Sequence, residues 1–575
     1  MVGLATVLGA GGGTSSYREV EEADVVILWG SNARETHPIF FHHVLTALHK
    51  GAQLFVIDPR RTSSARFADR WLGLTVGSDI ALAHAVGREI IHAGLAHTEF
   101  INNATTGYDE YAATVEPWTL ERAAAVTGVP EEAIKAMAHA YAKAGKAQLC
   151  WTLGITEHHN AVDNVVSLIN LALLTGHVGR DGSGLSPLRG QNNVQGGGDM
   201  GALPNKLPGF QDIEDVGARM KFELAWGQTI PASNGLNLTE MFEAMESGEL
   251  KAAYVVGENP AQSEADSTKA IHLLESLDHL VVQDIFRTKT AELADVVFPA
   301  SAAWCETDGT VTNSERRVQR VRKAINAPAG VRDDVAIIGD LARAMGHSWA
   351  EQSAEQVWDE LRSLSPLHQG MNYARLEALG GIQWPCPSEE TLEASFLHGR
   401  LWAHKLEDRG RLAPFSPVQW AGPVDELTEE FPLRLTTGRR LDSYNSGVQS
   451  GGFKSPLRMS ETIDMNPSDA FALNLSDGED AVISSRRGSI IAPVRFDDGL
   501  RPGLAFMTMH FPDEIDVNIL TIDYTDPRSG TAEFKASAIR VEKLSHGGSA
   551  PMNPRGQEIL RSDFLIGTPE LIAGQ

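Results

Sequence analysis

The chain has 575 residues and a formal net charge of -26. That length is too great for one hydrophobic core, and the acidity leaves no concentrated basic face for nucleic acid. Three widely separated cysteines, Cys150, Cys305 and Cys386, form no CxxC pair, which excludes an iron–sulfur ligand run, a zinc ribbon or a disulfide framework within this chain and points to a reducing, cytoplasmic setting.

No apolar run reaches membrane-spanning length, and Met1-Val2-Gly3-Leu4 has neither the basic start nor the apolar centre of a signal peptide. Gly9-Ala10-Gly11-Gly12-Gly13 is not preceded by a strand and is followed by Thr14 rather than a third fingerprint glycine; it reads as a flexible loop, not a phosphate loop. From Ala23 to Arg61 the pattern is strand, helix, strand. Val25 to Trp29 is an apolar run ending in Gly30-Ser31-Asn32, His37 to Lys50 is an amphipathic helix, and Leu54 to Ile57 ends in Asp58-Pro59-Arg60. Unalternating apolar runs joined through helices predict a parallel sheet buried on both faces. Helices are also predicted over Glu131–Lys143 and Asp163–Leu174, the second ending at Gly176.

A second α/β section starts near Leu250. Ala252 to Val256 leads into Gly257-Glu258-Asn259, Leu280 to Val282 leads into Gln283-Asp284, and Asp295 to Pro299 is a third strand. The recurrence of an apolar run followed by Gly-x-Asn or Asp predicts two related doubly wound, Rossmann-like halves. The Pro- and Trp-rich stretch from Gly381 to Asp425 reads as a boundary or crossing segment. Beyond it, short strands over Pro432–Thr437, Asp480–Ser485, Ser489–Phe496 and Leu504–Phe511, with a hairpin turn at Arg487-Gly488, predict a C-terminal β-barrel. The expected domains are 1–191, 192–424 and 425–545, with a surface tail over 546–575.

Gly30-Ser31-Asn32 and Asp58-Pro59-Arg60 stand at the carboxyl ends of neighbouring strands, where open α/β sheets bind ligands. An Asp there can accept from a ribose or base, and an Arg can grip phosphate; strand termination alone explains them equally well. The polar, glycine-dense run from Pro187 to Gly201 reads as a site loop rather than core, with Arg189 offering a fork for a carboxylate and Gln191 and its neighbouring amides able to read a heterocycle edge. Glu157-His158-His159 suggests structural or pterin-side contacts rather than metal binding. In Trp304-Cys305-Glu306 the thiol reads as buried and inert.

At Arg189 to Gly201 the sequence resembles the formate dehydrogenase branch of the molybdopterin oxidoreductases (the dimethyl sulfoxide reductase superfamily), through RGQNNVQG followed by DMGALPN. Supporting matches are IDPRRT from Ile57, LLTGHVGR from Leu173, GENPAQSEAD from Gly257, VVQDIFRTKTAELADVVFPA from Val281, ETDGTVTNSERRVQ from Glu306 and IQWPCP from Ile382. TTGRRLDSYN and GTAEFK extend them to the C-terminal section. The resemblance implies two α/β domains and a double-psi type barrel around a bis(molybdopterin guanine dinucleotide) cofactor carrying molybdenum or tungsten. By position, Gly30, Ser31, Asn32, Asp58, Arg60, Gly77, Ser78, Asp79 and Gln191 would hold cofactor on one side. Gly257, Asn259, Gln283 and Asp284 would do so on the other, with Thr437, Arg439, His510, Asn518 and Lys535 from the last domain.

The implied reaction is formate oxidation to carbon dioxide, with Arg189 gripping the formate carboxylate and electrons passing to an accepting subunit or carrier. The family's [4Fe–4S] cluster domain and its Cys or selenocysteine metal ligand are expected to precede the stretch that begins here, so no metal ligand is assigned and the chain as written is expected to be inactive alone. Two alternatives stand beside this reading. One is a truncated chain that binds cofactor or partner subunits without catalysis; the other is a different oxyanion oxidoreductase such as a nitrate reductase, against which the RGQNN loop argues.

Overall fold

A computed structural model describes residues 1–402, 412–441, 443–447 and 460–544, so the tail expected over 546–575 lies outside the described residues. Its contacts divide the chain into two units. The first comprises Met1–Ala261, Lys269–Val424 and Tyr524–Glu533; the second comprises Gln262–Thr268 and Asp425–Asp523 and resumes at Phe534.

The first unit is built on a five-stranded parallel sheet whose order is Arg70–Leu72, Gln53–Ile57, Val25–Trp29, Ala147–Trp151, Gly184–Pro187. The central strands Val25–Trp29 and Ala147–Trp151 are buried at every position, as a sheet covered on both faces requires. Pro38 opens the helix Pro38–His49 at a position where its missing N–H costs nothing. The helix Ala161–Thr175 is buried along nearly its whole length and stops at Gly176, whose φ of 69° suits a residue without a Cβ.

The second α/β section holds a three-stranded parallel sheet, with His279–Asp284 between Ala252–Val256 and Val296–Pro299. It is smaller than the first, and its strands are only partly covered. A separate antiparallel sheet joins Gly309–Thr312, Arg317–Val321 and Ile382–Gln383.

The second unit is a closed barrel of Leu433–Gly438, Leu504–Thr508, Ile463–Met465, Ser489–Phe496, Asp480–Ser484 and Ser537–Lys543, in that order around the ring. Closure removes the edges that a small open sheet would expose. The Arg487-Gly488 turn is present, with Ser485 N–H donating to the Gly488 carbonyl at 2.9 Å. Two staves, Ile463–Met465 and Ser537–Lys543, were not expected from sequence. The first is only three residues long, and the second mixes charged and apolar positions.

Three expectations need correction. Gly11, Gly12 and Gly13 are buried rather than flexible: the Gly11 and Gly13 carbonyls accept from Arg189 and Arg316, and a Cβ on Gly12 would lie 2.7 Å from the Trp384 ring. The run after Arg189 is half core, because Val194–Asp199 forms a short helix that buries Gln195 and Asp199. Their polar groups satisfy one another, so burial costs little. Cys305 is partly exposed, whereas Cys150 and Cys386 are buried.

Candidate active site

Two strand ends in the first unit share one geometry. Gly30, just past Val25–Trp29, has φ 57° and donates its N–H to the Ile57 carbonyl of the neighbouring strand at 2.8 Å. Gly257, just past Ala252–Val256, has φ 64° and donates to the Gln283 carbonyl at 2.8 Å. In each case the neighbouring strand closes on an aspartate whose Oδ1 accepts the backbone N–H two residues on: Asp58 from Arg60, and Asp284 from Phe286, both at 2.9 Å. Both glycines turn the chain in the left-handed region, which favours a residue without a Cβ, and at Gly30 space also forbids one: a Cβ there would fall 2.9 Å from the Gly154 backbone.

Around the first end, the Ser31 hydroxyl is fully buried and has no hydrogen-bond partner among the described residues. Asn32 Oδ1 accepts from the Ser63 and Ser64 hydroxyls at 3.1 and 3.0 Å, which shapes the loop. Asp79 accepts from Trp29 Nε1 at 2.8 Å beneath the strand end, and burial raises its pKa. The Gly77 carbonyl accepts from the distant Trp420 Nε1 at 2.9 Å, and Ser78 Oγ donates to the Thr75 carbonyl at 2.6 Å. Around the second end, Asn259 Oδ1 accepts from Thr290 Oγ1 at 2.8 Å. Gln283 is buried, with its side-chain oxygen taken by Tyr254 and its amide nitrogen by Asp334.

Behind the first strand end, Glu533 is completely buried between two histidines. His158 Nδ1 lies 2.8 Å from Oε1 and His159 Nδ1 lies 2.9 Å from Oε2. His158 Nε2 faces the Gly154 carbonyl at 3.1 Å. Burial would raise Glu533, but the charge of His158 and hydrogen bonding from both histidines hold it well below the usual carboxylate range. The expected structural role of the histidine pair is met by a residue that sequence spacing could not supply.

Arg189 follows the edge strand Gly184–Pro187. Its backbone is fixed from both sides, with N–H donating to Ser314 Oγ at 2.8 Å and the carbonyl accepting from His37 Nε2. Its guanidinium donates through Nε to Gln195 Oε1 at 3.1 Å and through Nη2 to the Gly11 carbonyl at 2.7 Å, while Nη1 makes no hydrogen bond among the described residues. Burial lowers its pKa to about 10, which leaves it charged at neutral pH. A half-buried cation with one edge of its fork unbonded is suited to a small carboxylate. Gln191, two residues on, is exposed.

In the second unit, Thr437 Oγ1 donates to the Phe534 carbonyl and Lys535 Nζ to the Thr437 carbonyl, both at 2.8 Å. Arg439 and His510 meet at Asn445, at 3.1 and 2.6 Å. Asn518 Nδ2 donates to the Gln262 carbonyl at 3.1 Å. Among the described residues no group of three or more His, Cys, Asp or Glu side chains is placed to hold a metal ion, and no helix is long and apolar enough to cross a membrane.

Residues 7–344 match the family model Molybdopterin oxidoreductase, and residues 433–538 match Molydopterin dinucleotide binding domain. F420-dependent formate dehydrogenase 2 subunit alpha of Methanococcus maripaludis is 41% identical over 549 residues, covering 95% of this chain and 80% of that relative. Formate dehydrogenase H of Escherichia coli is 36% identical over 95% of this chain and 76% of its own length. Acetylene hydratase from Pelobacter acetylenicus shares the fold with a TM-score of 0.73 at 20% identity, over 94% of this chain and 80% of that one.

Proposed function

The chain belongs to the molybdopterin oxidoreductase family, among relatives of formate dehydrogenase alpha subunits, and from that premise we propose that it oxidises formate to carbon dioxide with Arg189 as the carboxylate anchor. The observation that carries the anchor is the guanidinium itself, bonded on two sides and open at Nη1. Formate is the smallest carboxylate, so nearly all its binding energy must come from such a charge-assisted contact. A neutral aldehyde would bring no opposite charge to that contact.

The two equivalent strand ends support two nucleotide-bearing pterin groups, that is, a bis(molybdopterin guanine dinucleotide) carrying molybdenum or tungsten. When bound, that group supplies the two-electron redox chemistry. The unpartnered Ser31 hydroxyl fits it as a buried donor waiting for an acceptor. Gly30, Ser31, Asn32, Asp58 and Arg60 would hold one dinucleotide, bordered by Gly77, Ser78 and Asp79. Gly257, Asn259 and Asp284 would hold the other, with Gln283 contributing through its bond to Gly257 rather than through its engaged side chain. In the barrel unit, Thr437, Arg439, His510 and Lys535 form a cationic, hydroxyl-bearing group suited to phosphate. Oxidation of formate yields carbon dioxide, one proton and two electrons, and the electrons require an accepting subunit or carrier.

The test is steady-state formate oxidation by the metal-loaded full-length subunit. Arg189→Ala should raise the formate KM at least tenfold, and Arg189→Lys should recover only part of it because an ammonium lacks the planar fork. Formate kinetics within about twofold of wild type for Arg189→Ala would remove Arg189 as the anchor.

A further inference from the structure

Arg189 is one member of a closed ring of hydrogen bonds. Its Nε donates to Gln195 Oε1 at 3.1 Å, and Gln195 Nε2 donates to Asp199 Oδ1 at 2.8 Å. Asp199 Oδ2 accepts from Trp384 Nε1 at 2.7 Å. Arg316, fully buried, packs its guanidinium 5.4 Å from the Trp384 ring centre, bonds the Trp384 carbonyl, and donates to the Gly13 carbonyl at 2.7 Å. Two residues before Gly13, the Gly11 carbonyl accepts from Arg189 Nη2 at 2.7 Å and completes the circuit.

We propose that Asp199 is a positioning residue for the substrate carboxylate: by accepting from Gln195 and Trp384 at once, it orients the Gln195 amide and so fixes the plane in which Arg189 presents its open Nη1 edge. This rests on the reading of Arg189 as the formate anchor.

Gln195 can face Arg189 either with its carbonyl, which accepts, or with its NH2, which repels a guanidinium N–H. Only an acceptor at Asp199 Oδ1 holds the amide the right way round. The second carboxylate oxygen is occupied by Trp384, so the site presents two donors to one residue, and only a carboxylate accepts from both. Asparagine offers one acceptor and one NH2. In an Asp199→Asn variant the NH2 must face either Trp384, losing that bond, or Gln195, forcing the amide to turn and push Arg189 aside. Asp199 is 1% exposed, so water cannot take up the unmet donor, and its charge also helps to hold Arg189 and Arg316 as cations.

The chemistry makes the test a rescue. In the metal-loaded full-length subunit, Asp199→Asn should raise the formate KM about tenfold with a smaller change in kcat. Gln195→Met, which cuts the link while leaving Asp199 and Trp384 in place, should do the same. Trp384→Phe alone should stay within about threefold. In the Asp199→Asn/Trp384→Phe double variant the tryptophan donor is gone, so the asparagine carbonyl is free to face Gln195 and KM should return toward that of Trp384→Phe. A role confined to packing predicts the opposite, with the double variant worse than either single one. The proposal is overturned if Gln195→Met leaves KM within twofold at normal metal content, or if the double variant binds formate no better than Asp199→Asn. Arg189→Ala run alongside separates the two readings: an unchanged KM there defeats the anchor itself, whereas a raised KM with an indifferent Gln195→Met defeats only the positioning role.

Discussion

Asp526 Oδ2 accepts the backbone N–H of Val162 at 3.0 Å, across 364 positions of sequence. Asn160, the residue that begins the helix Ala161–Thr175, makes no side-chain capping bond, so a residue brought from the end of the chain satisfies one of the helix's open N–H groups. Its segment, Tyr524–Glu533, belongs to the first unit although its flanks belong to the second. Arg528 from the same segment pairs with Asp163 in the helix's first turn.

Asp526→Ala should therefore lower stability by about 1 kcal/mol, the usual cost of losing an N-cap. Asp526 also accepts from Arg528 and Ser529 N–H at 2.9 and 2.8 Å, which places the effect at the upper end of that range. The midpoint of urea unfolding at unchanged m-value reads it directly, and an unshifted midpoint would show that the helix does not depend on this cap.

Glu533→Gln should cost more, about 3 kcal/mol, because it leaves two buried histidines facing an amide. The sign with pH follows from the depressed carboxyl: its stabilising effect is fully present above the unfolded glutamate value of 4.5 and is lost as pH falls below it. The gap between variant and wild type should thus be widest near neutrality and narrow below about pH 4.5. A gap independent of pH from 7 to 4 would contradict an ionised Glu533 in the folded protein.

Four histidines share a second pH dependence. Burial lowers His84 to about 4 and His177, His368 and His398 to about 3, from 6.5 in the unfolded chain. Between those values the unfolded chain takes up protons that the folded one refuses, so stability is full above pH 6.5 and falls on acidification. Each site loses about 1.4 kcal/mol by pH 5.5, an upper figure given the burial involved. Thermal unfolding between pH 7.5 and 5.5 should show a marked drop in midpoint, reduced in His368→Gln. A flat profile would mean these rings titrate normally.

The paired strand ends make a prediction about cofactor rather than stability. Asp58→Ala and Asp284→Ala each remove the acceptor that shapes the turn beside one strand-end glycine, and each should reduce metal and guanine nucleotide released per purified chain. The double variant should release least. Normal content in both single variants would defeat the two-site assignment.

Much of the architecture was legible because it is local. The strand Val25–Trp29, the helix Glu131–Lys143 and the glycine stop at Gly176 follow from apolar spacing and from the one residue that turns left-handed without strain. The strand-end clusters were legible for the same reason, since Gly30 and Asp58 directly follow the strands they terminate. The barrel was less so, because the short strand Ile463–Met465 is too brief to carry a period and is defined by its neighbours.

What surrounds Arg189 and His158 was decided by the tertiary structure alone. Trp384 reaches Asp199 across 185 positions, and Glu533 reaches His159 across 374. A buried donor or acceptor must find a partner, but nothing in its neighbouring sequence says which distant one the folded chain will deliver. The sequence by itself thus determined where the chain turns and which groups stand at its strand ends. The three-dimensional packing decided how Arg189 is held, because that depends on which polar groups lose water together and must then satisfy each other.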